Sequence, residues 1–403
     1  MPSLPDARRV LILVENLPLP LDRRVWLEAT TLVQAGYQVS VICPTGRGWD
    51  KAHEVIEDVH IWRYPAPPEA HSGALAYARE WGGALWHMAR LMRVVRRARG
   101  FDVVQGCNPP DLLFLLALWW RPHGVRFLFD HHDVCPELFE AKFGKRGLLY
   151  QIMRLCERLT FATASVSMAT NESFRRVALT RGKMRPEDVF VVRSAPRVES
   201  FLPGPGDVAV RKGASTVLGY VGVIGQQEGM DLLVAAVAHL VGHMGQGDVH
   251  VVIVGFGPAL AEMQADVAAR GLSGHFTFTG PLYGAGLLDA LNAIDIGVAP
   301  DPKNAMNDIS TMNKVMEYMA LEKPVVQFDL TEGRASAEEA SLYAVANDPV
   351  DFAEKIAWLM DRPEERARMG RIGRARVLER LSWAHSAPAL LAAYDRIFAR
   401  INR

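Results

Sequence analysis

Two kinds of apolar pattern alternate along the chain. Residues 9–15, 37–43, 59–64, 101–105, 125–129, 164–169 and 189–193 are short, nearly continuous apolar runs bounded by turn residues. Such runs fit strands buried on both faces, as in a parallel sheet. Between them lie longer segments with helical spacing, at 22–36, 74–99, 148–161 and 171–181, and an apolar one that ends at Trp120. Asp22 suits the N-cap of the first of these helices, and Gly36 the position just past its C-terminus. Strand–helix alternation of this kind predicts a doubly wound α/β domain. Pro203-Gly204-Pro205-Gly206 is the densest break in the chain, so the first domain is predicted to span 1–200. The scheme then repeats, with strands at 216–221, 250–254, 275–279, 296–299 and 324–328 and helices at 230–244 and 259–270. That gives a second α/β domain over 201–380 and a C-terminal helical segment over 381–403.

Composition narrows the class. Hydrophobic residues make up 49% and charged residues 22% of the 403, enough core for two or three globular domains. Basic and acidic residues both number 45, so no global field points to nucleic acid. Cys43, Cys107, Cys135 and Cys156 are scattered, without zinc-ligand spacing, which predicts reduced thiols, no metal and a cytosolic compartment. Residues 1–9 resemble neither a signal peptide nor a transmembrane helix, and the longest apolar run, 112–120, is too short to span a bilayer.

Candidate chemistry gathers at strand ends. Residues 307–320 lead from a polar stretch into a short amphipathic helix whose first backbone N–H groups suit a phosphate or a sugar hydroxyl. Lys314 and Glu317 share a face of that helix, a cation for phosphate and a carboxylate for ribose hydroxyls. A solvated Glu/Lys pair is the plainer alternative. Glycine loops follow two strands, Gly222 to Gly229 and Gly255-Phe256-Gly257, and let a backbone approach a pyrophosphate, although neither is a dinucleotide fingerprint. Asp130-His131-His132-Asp133 ends a strand, where alternation sends only one histidine towards a cleft. The alternatives there are a histidine held structurally by carboxylates and a metal site, for which the local ligands are too few. After it, Glu137, Phe139, Lys142, Phe143, Lys145 and Arg146 suit an acceptor or membrane lip. The helix at 74–99 carries Trp81, Trp86 and six arginines, which fit either an anionic membrane surface or an ordinary surface helix. Arg366, Arg368, Arg371, Arg374 and Arg376 share a helix with Glu364, Glu365 and Glu379, a solvated charged face.

Taken together, residues 251–258, 276–280, 293–300 and 317–320, with Leu381-Ser382-Trp383, resemble the retaining glycosyltransferases of family 4 over nearly the whole chain. Residues 130–138 resemble a bacterial exopolysaccharide and O-antigen subgroup. The resemblance implies a GT-B fold: two Rossmann-like domains facing a cleft, with the C-terminal helix crossing back to the first. It implies transfer of a sugar from a nucleotide-sugar, UDP- favoured over GDP-, with retained configuration and neither metal nor cofactor. The implied acceptor is a lipid-linked saccharide, met at the cytoplasmic membrane face through the helix at 74–99. His132 matches the family's cleft histidine, and Glu317 the second glutamate of its E-x7-E motif. The first glutamate falls at Ile309, leaving Asp308 as a candidate substitute. The family's phosphate-binding Arg and Lys fall at Val223 and Glu228, so Lys314 and Arg193 become the candidate replacements. The donor set is then Gly222, Gly225, Arg193, Gly255, Gly257, Ser310, Thr311, Lys314 and Glu317, with Asp22, Asp133 and Glu137 on the acceptor side. Two other readings stand beside this one: a non-catalytic subunit binding a partner transferase, and a GT-B sugar epimerase using Asp133 and Glu137.

Overall fold

The computed structural model of the chain describes residues 8–68 and 74–401, the side chains of residues 74 and 75 apart; residues 1–7, 69–73 and 402–403 lie outside it. Most of the leading segment and the last two residues of the predicted C-terminal helix therefore fall outside the described residues. The chain forms two compact units, Met1–Arg193 with Ser386–Arg403, and Ser194–His385.

The first unit runs β1 (Arg9–Leu13), α1 (Arg23–Gln34), β2 (Gln38–Pro44), β3 (His53–Ile56), β4 (Val59–Tyr64), α2 (Ala74–Ala98) and β5 (Val103–Cys107). It continues α3 (Phe114–Trp120), β6 (Arg126–His131), α4 (Cys135–Phe143), α5 (Leu148–Thr163), β7 (Val166–Ala169), α6 (Glu172–Thr180) and β8 (Val189–Val191). The strands form one sheet in the order β3-β4-β2-β1-β5-β6-β7-β8. Only β3 is antiparallel to its neighbour, a short edge strand whose half-exposed residues gave no apolar run to read. Asp22 caps α1 as expected, accepting a hydrogen bond from the Val25 N–H at 3.0 Å. From β4 back to β5 and outward to β8, every crossover runs the same way along the sheet. The right-handed rule therefore puts α2, α3, α5 and α6 on one face. They share a core there, with Met88, Met92, Phe114, Phe161 and Ala178 on the sheet residues Phe127 and Phe129. The apolar stripe of α2, Ala84, Met88, Met92 and Val95, is thus buried against the sheet, while Trp86, Arg90, Arg93 and Arg97 are exposed.

The second unit runs β9 (Thr216–Val223), α7 (Met230–Gly242), β10 (Val249–Phe256), α8 (Leu260–Ala269), β11 (Phe276–Gly280), α9 (Gly284–Ala293) and β12 (Ile296–Ala299). It continues α10 (Asn313–Ala320), β13 (Val325–Phe328), α11 (Thr331–Ala337), β14 (Ser341–Ala344), α12 (Pro349–Met360) and α13 (Pro363–Arg376), and α14 (Trp383–Phe398) then begins. The sheet order is β11-β10-β9-β12-β13-β14, parallel throughout. This is the Rossmann order, and it reverses direction between β9 and β12, where α/β sheets bind ligands.

From Ser386, α14 belongs to the first unit. Asp395 pairs with Arg8 at 2.5 Å, the Tyr37 ring lies 5.7 Å from both Tyr394 and Phe398, and Arg396 and Arg400 both reach Asp188. The outward passage falls at Arg193–Ser194, ahead of the Pro-Gly stretch. Phe201 packs in the second unit's core and Gly204 donates to the Asn292 side chain at 2.9 Å, so residues 203–206 form a docked loop.

The arginines of α13 divide: Arg368 and Arg371 are exposed, as a solvated face expects, while Arg366, Arg374 and Arg376 are half-buried and turned onto neighbouring helices. Arg366 donates to the Leu359 and Met360 carbonyls at 2.7 and 2.8 Å, at the C-terminus of α12. Arg376 reaches the Ala335 and Ser336 carbonyls of α11, and Arg374 the last carbonyl of α10, that of Ala320. Three helix ends, each carrying partial negative charge, are therefore capped by cations from one helix. Arg374→Ala leaves the Ala320 carbonyl without its charged donor and should cost about 2 kcal/mol. A urea midpoint unchanged from wild type would contradict this role.

Candidate functional site

In the first unit the site grows from the carboxyl end of β6. Strand alternation sends His131 into the core, packed against Phe129, Phe161 and Phe174 at 4.9 to 5.2 Å between ring centroids. Burial, with Arg181 and His132 nearby, lowers its imidazole to about 3, so it is neutral. His132 faces the other way. Its Nε2 lies 2.5 Å from the buried Asp130 carboxylate and 2.9 Å from the Arg24 Nε. Its Nδ1 has no hydrogen-bond partner among the described residues.

Asp130 is fully buried, which by itself would raise its carboxyl. Arg24, donating to Oδ1 at 2.7 Å, and then His132 outweigh burial and hold it ionised, well below the usual carboxylate range. Glu28 shows the opposite balance: burial and the neighbouring Asp130 charge raise it well above the usual range, with Arg24 opposing. Gln105 ties the group together, donating to Glu28 at 2.6 Å and to Asp130 at 3.1 Å while accepting from the Tyr394 hydroxyl of α14. Arg24 also donates to the Val192 carbonyl at 2.6 Å. Asn108 holds the backbone: its Oδ1 accepts from the N–H of His132 at 2.6 Å and of Asp133 at 3.2 Å, and its Nδ2 donates to the Asp133 carbonyl. Sequence reading missed Arg24, Gln105 and Asn108, because the site partners they hold lie 24 to more than 100 positions away along the chain. The one available signal was Asn108 itself, in a proline turn at a strand end.

Cys107, Asp130 and His132 bring three ligand atoms within 4.8 Å of one another. They fit a metal poorly. Burial and Asp130 raise the Cys107 thiol well above its ordinary value, so it keeps its proton, and the Arg24 guanidinium already occupies the carboxylate.

The acceptor-side carboxylates have other tasks. Glu137 is buried and paired with Arg181, which also binds Glu157, so Glu137 is not an open carboxylate. Asp22 is the buried cap of α1, and Asp133 is half-buried with its backbone clamped by Asn108. Of the Asp133/Glu137 pair that an epimerase requires, Glu137 is already engaged by Arg181.

In the second unit, Gly222 and Gly255 face each other in register where β9 and β10 end, at φ 150° and 146°. A Cβ on Gly255 would sit 1.9 Å from the Gly222 carbonyl oxygen, so this glycine is required by strand approach before any ligand is considered. Gly225 and Gly257 lie in the loops beyond, and a Cβ on Gly257 would stand 2.4 Å from the Ile224 carbonyl. A shallow depression of about 290 Å3 beside Gly225 and Gln226 is lined by Asp231, Glu262 and Asp266, the wrong charge for a phosphate.

The start of α10 is different. No side chain caps it, and the Ser310 hydroxyl before it is turned back to the Met306 carbonyl, with Thr311 half-buried beside it. Lys314 and Glu317 are both 8% exposed, so they are not a solvated pair. Lys314 Nζ contacts the Asp301 carboxylate at 2.9 and 3.1 Å and Glu228 at 3.2 Å, over the Tyr220 ring at 4.6 Å. Burial alone would lower this ammonium; Asp301, Tyr220 and Glu228 outweigh it and raise it well above the ordinary lysine value. Asp301, buried and beside Glu228, is pushed up to about 7 despite Lys314. Glu228, at the position of the expected cation, thus holds the cation expected to replace it. Val223 is exposed, and Arg193 is half-buried. Asp308, the candidate substitute for the missing glutamate, accepts from the Thr331 N–H and hydroxyl at 2.9 and 3.0 Å and pairs with Lys303.

Comparisons with known proteins agree with this layout. A glycosyl transferase 4-like domain matches residues 21–195, and a domain of glycosyl transferases group 1 matches 215–362. The chain is 28% identical to the 2-deoxystreptamine glucosyltransferase of Streptomyces kanamyceticus over 46% of each chain, so that match spans under half of the relative. It is 26% identical to the alpha-maltose-1-phosphate synthase of Mycolicibacterium smegmatis, over 69% of this chain and 74% of that one. Among solved structures, sucrose-phosphate synthase from Thermosynechococcus elongatus superposes with a TM-score of 0.78 at 17% identity, covering 98% of this chain and 100% of that one. The Anabaena protein HepE, solved with UDP and glucose, gives 0.70 at 14% identity over 98% and 99%. Two consecutive domain matches that together take in most of the chain, on a fold shared along its length, assign it to the glycosyltransferases of GT-B type.

Proposed function

We propose that the chain is a retaining hexosyltransferase that moves a sugar from a UDP-sugar to a lipid-linked saccharide in surface polysaccharide synthesis, at the cytoplasmic face of the membrane. The observation that carries the donor half is the uncapped start of α10 at the switch of a Rossmann-ordered sheet, with Lys314 in its first turn and Glu317 one turn on. UDP is favoured because HepE was solved with UDP-glucose and an Escherichia coli trehalose-6-phosphate enzyme with UDP-2-fluoro glucose. No helix among the described residues is long and apolar enough to cross a membrane, and the membrane contact in this proposal is a peripheral one. Its first candidate is the exposed arginine face of α2.

In this reading the bond between the sugar's anomeric carbon and the donor phosphate breaks, and UDP leaves with the electron pair. The acceptor hydroxyl attacks from the same face and passes its proton to the departing phosphate, without a metal. Glu317 grips the ribose. The α10 backbone N–H groups, Lys314 and Arg193 stabilise the diphosphate, a charge-assisted contribution. His132 Nε2 is held between the Arg24 Nε–H and the Asp130 carboxylate, which leaves Nδ1 to hydrogen-bond a sugar hydroxyl.

A second reading, a subunit that binds donor without turnover, is favoured by one observation: Asp301 and Glu228 together more than offset the Lys314 charge. A turnover assay separates the two, with labelled sugar followed from UDP-glucose, UDP-galactose and UDP-N-acetylglucosamine into a bacterial lipid extract. Wild-type transfer is expected, falling by about 100-fold or more in His132→Ala with donor affinity retained. Donor binding with no transfer by wild type would favour the subunit.

The carboxylates also predict a pH dependence. Below about 7 Asp301 is protonated and its cluster with Lys314 and Glu228 is neutral; above it the cluster carries a net negative charge that opposes a diphosphate. UDP-sugar affinity should therefore fall as pH rises from 6 to 8.5, by at most about tenfold per unit. Glu228→Gln should tighten binding and flatten that profile. A flat wild-type profile, unaltered by Glu228→Gln, would place the phosphates away from Lys314.

A further inference from the structure

Half of the exposed large apolar side chains among the described residues lie in one short part of the chain, between Trp86 and Leu159. On α5, Leu148, Ile152, Leu155 and Leu159 recur every three or four residues, with Leu149 beside them. That spacing normally marks the side of a helix that packs on a core, yet these residues are exposed, Leu148 by 77% and Leu155 by 54%. The core-facing side of the same helix is a different set, including Tyr150, Glu157, Thr160 and Phe161. On α3 the exposed set is Leu115, Leu118 and Trp119. Both helices belong to the layer that covers one face of the first sheet. They share one buried core through Phe114, Ala117 and Phe161, and the Thr160 hydroxyl of α5 donates to the Asp111 carbonyl in the turn that leads into α3, so the two helices lie in one layer.

Charge selects what covers it. From Phe114 to Thr163 every exposed charged side chain is basic: Arg121, Lys142, Lys145, Arg146 and Arg158. The acids of that stretch are withdrawn, with Asp130, Glu137 and Glu157 buried, Asp133 half-buried, and Glu140 half-buried and paired with Arg146. In the neighbouring α2, Arg93 stands over the Trp119 ring at 4.5 Å, adding a cation at the edge of the apolar patch. An apolar strip rimmed by cations and tryptophan matches the anionic surface of a phospholipid bilayer. A second copy of the chain would set like charges against each other across a two-fold axis.

We infer that the outer side of α3 and α5, with the basic end of α4 at its rim, docks on an anionic phospholipid bilayer by inserting the leucine strip between the headgroups. This centres the membrane contact on α3 and α5 rather than on α2, whose own apolar stripe is buried against the sheet and whose Arg93 stands at the edge of the patch. It deepens the membrane-side acceptor of the proposed reaction and rests on that reading for its purpose, but not for its test.

The test is flotation of the full chain with vesicles of phosphatidylcholine alone and with about 30% phosphatidylglycerol, neither containing any acceptor. Wild type should float with the anionic vesicles only, and release as salt is raised. The triple variant Leu148→Ser, Ile152→Ser, Leu155→Ser and the triple variant Lys142→Gln, Lys145→Gln, Arg158→Gln should each lower the bound fraction by about fivefold or more. Cooperative thermal unfolding at the wild-type temperature in both variants, measured without any ligand, shows that they are folded and keeps failure of docking distinct from failure of the transferase reading. Equal binding to neutral vesicles, no binding to either, or a dimer in solution that the serine variant dissociates would overturn the inference.

Discussion

A carboxylate cut off from water stays ionised only where opposite charge and hydrogen bonds replace its hydration. Asp130 meets that condition through Arg24, His132 and Gln105, and the first unit is arranged to supply them. Arg24 comes from the first turn of α1, Gln105 from the middle of the sheet, and the hydroxyl behind Gln105 from Tyr394 in the returning C-terminal helix. Each contributor comes from a different part of the chain, so the charge is stable only when the unit is fully assembled. Removing one partner of such a group is the costly change, about 3–5 kcal/mol, because the remaining charge is left buried alone. The return for that constraint is a histidine with one nitrogen committed and the other directed outward.

The second unit solves the opposite problem. There the buried charge is a cation, Lys314, and two carboxylates compete for it, so one of them is pushed towards neutral pH. A cluster in that state is not a finished phosphate site; in the proposed reaction it becomes one when a proton or a diphosphate displaces a carboxylate from the lysine. Two positions whose charges look wrong when read singly, Glu228 and Lys314, are consistent when read as one exchange of partners.

The two sheets were legible in the sequence because a strand buried on both faces reads as a nearly continuous apolar run, as in residues 10–13 of β1 and 251–254 of β10. β3 was not, since an edge strand with half-exposed residues has no such run. The site was legible where local periodicity acts: alternation separated His132 from His131, and helical spacing paired Lys314 with Glu317. It was not legible where partners meet from distant positions. Nothing local in Asp308 tells that it caps α11, in Glu137 that Arg181 takes it, or in Arg374 that it closes the end of α10. The Pro-Gly stretch at 203–206 misled for a related reason, since turn residues mark a change of direction without saying whether the loop is docked. Helical spacing at 148–161 located α5, but spacing alone does not say which side packs, and only exposure shows that its leucine strip faces away from the core.

The most direct test of the account is the thermal stability of the whole chain against UDP-, GDP-, ADP- and dTDP-sugars. A ligand held by the native state at about a hundred times its dissociation constant adds about 2.7 kcal/mol. The account predicts a clear upward shift with UDP-sugars and a smaller one or none with the others. No shift with any nucleotide-sugar, in a sample whose unfolding is cooperative, would contradict it, because the start of α10 would then hold no donor.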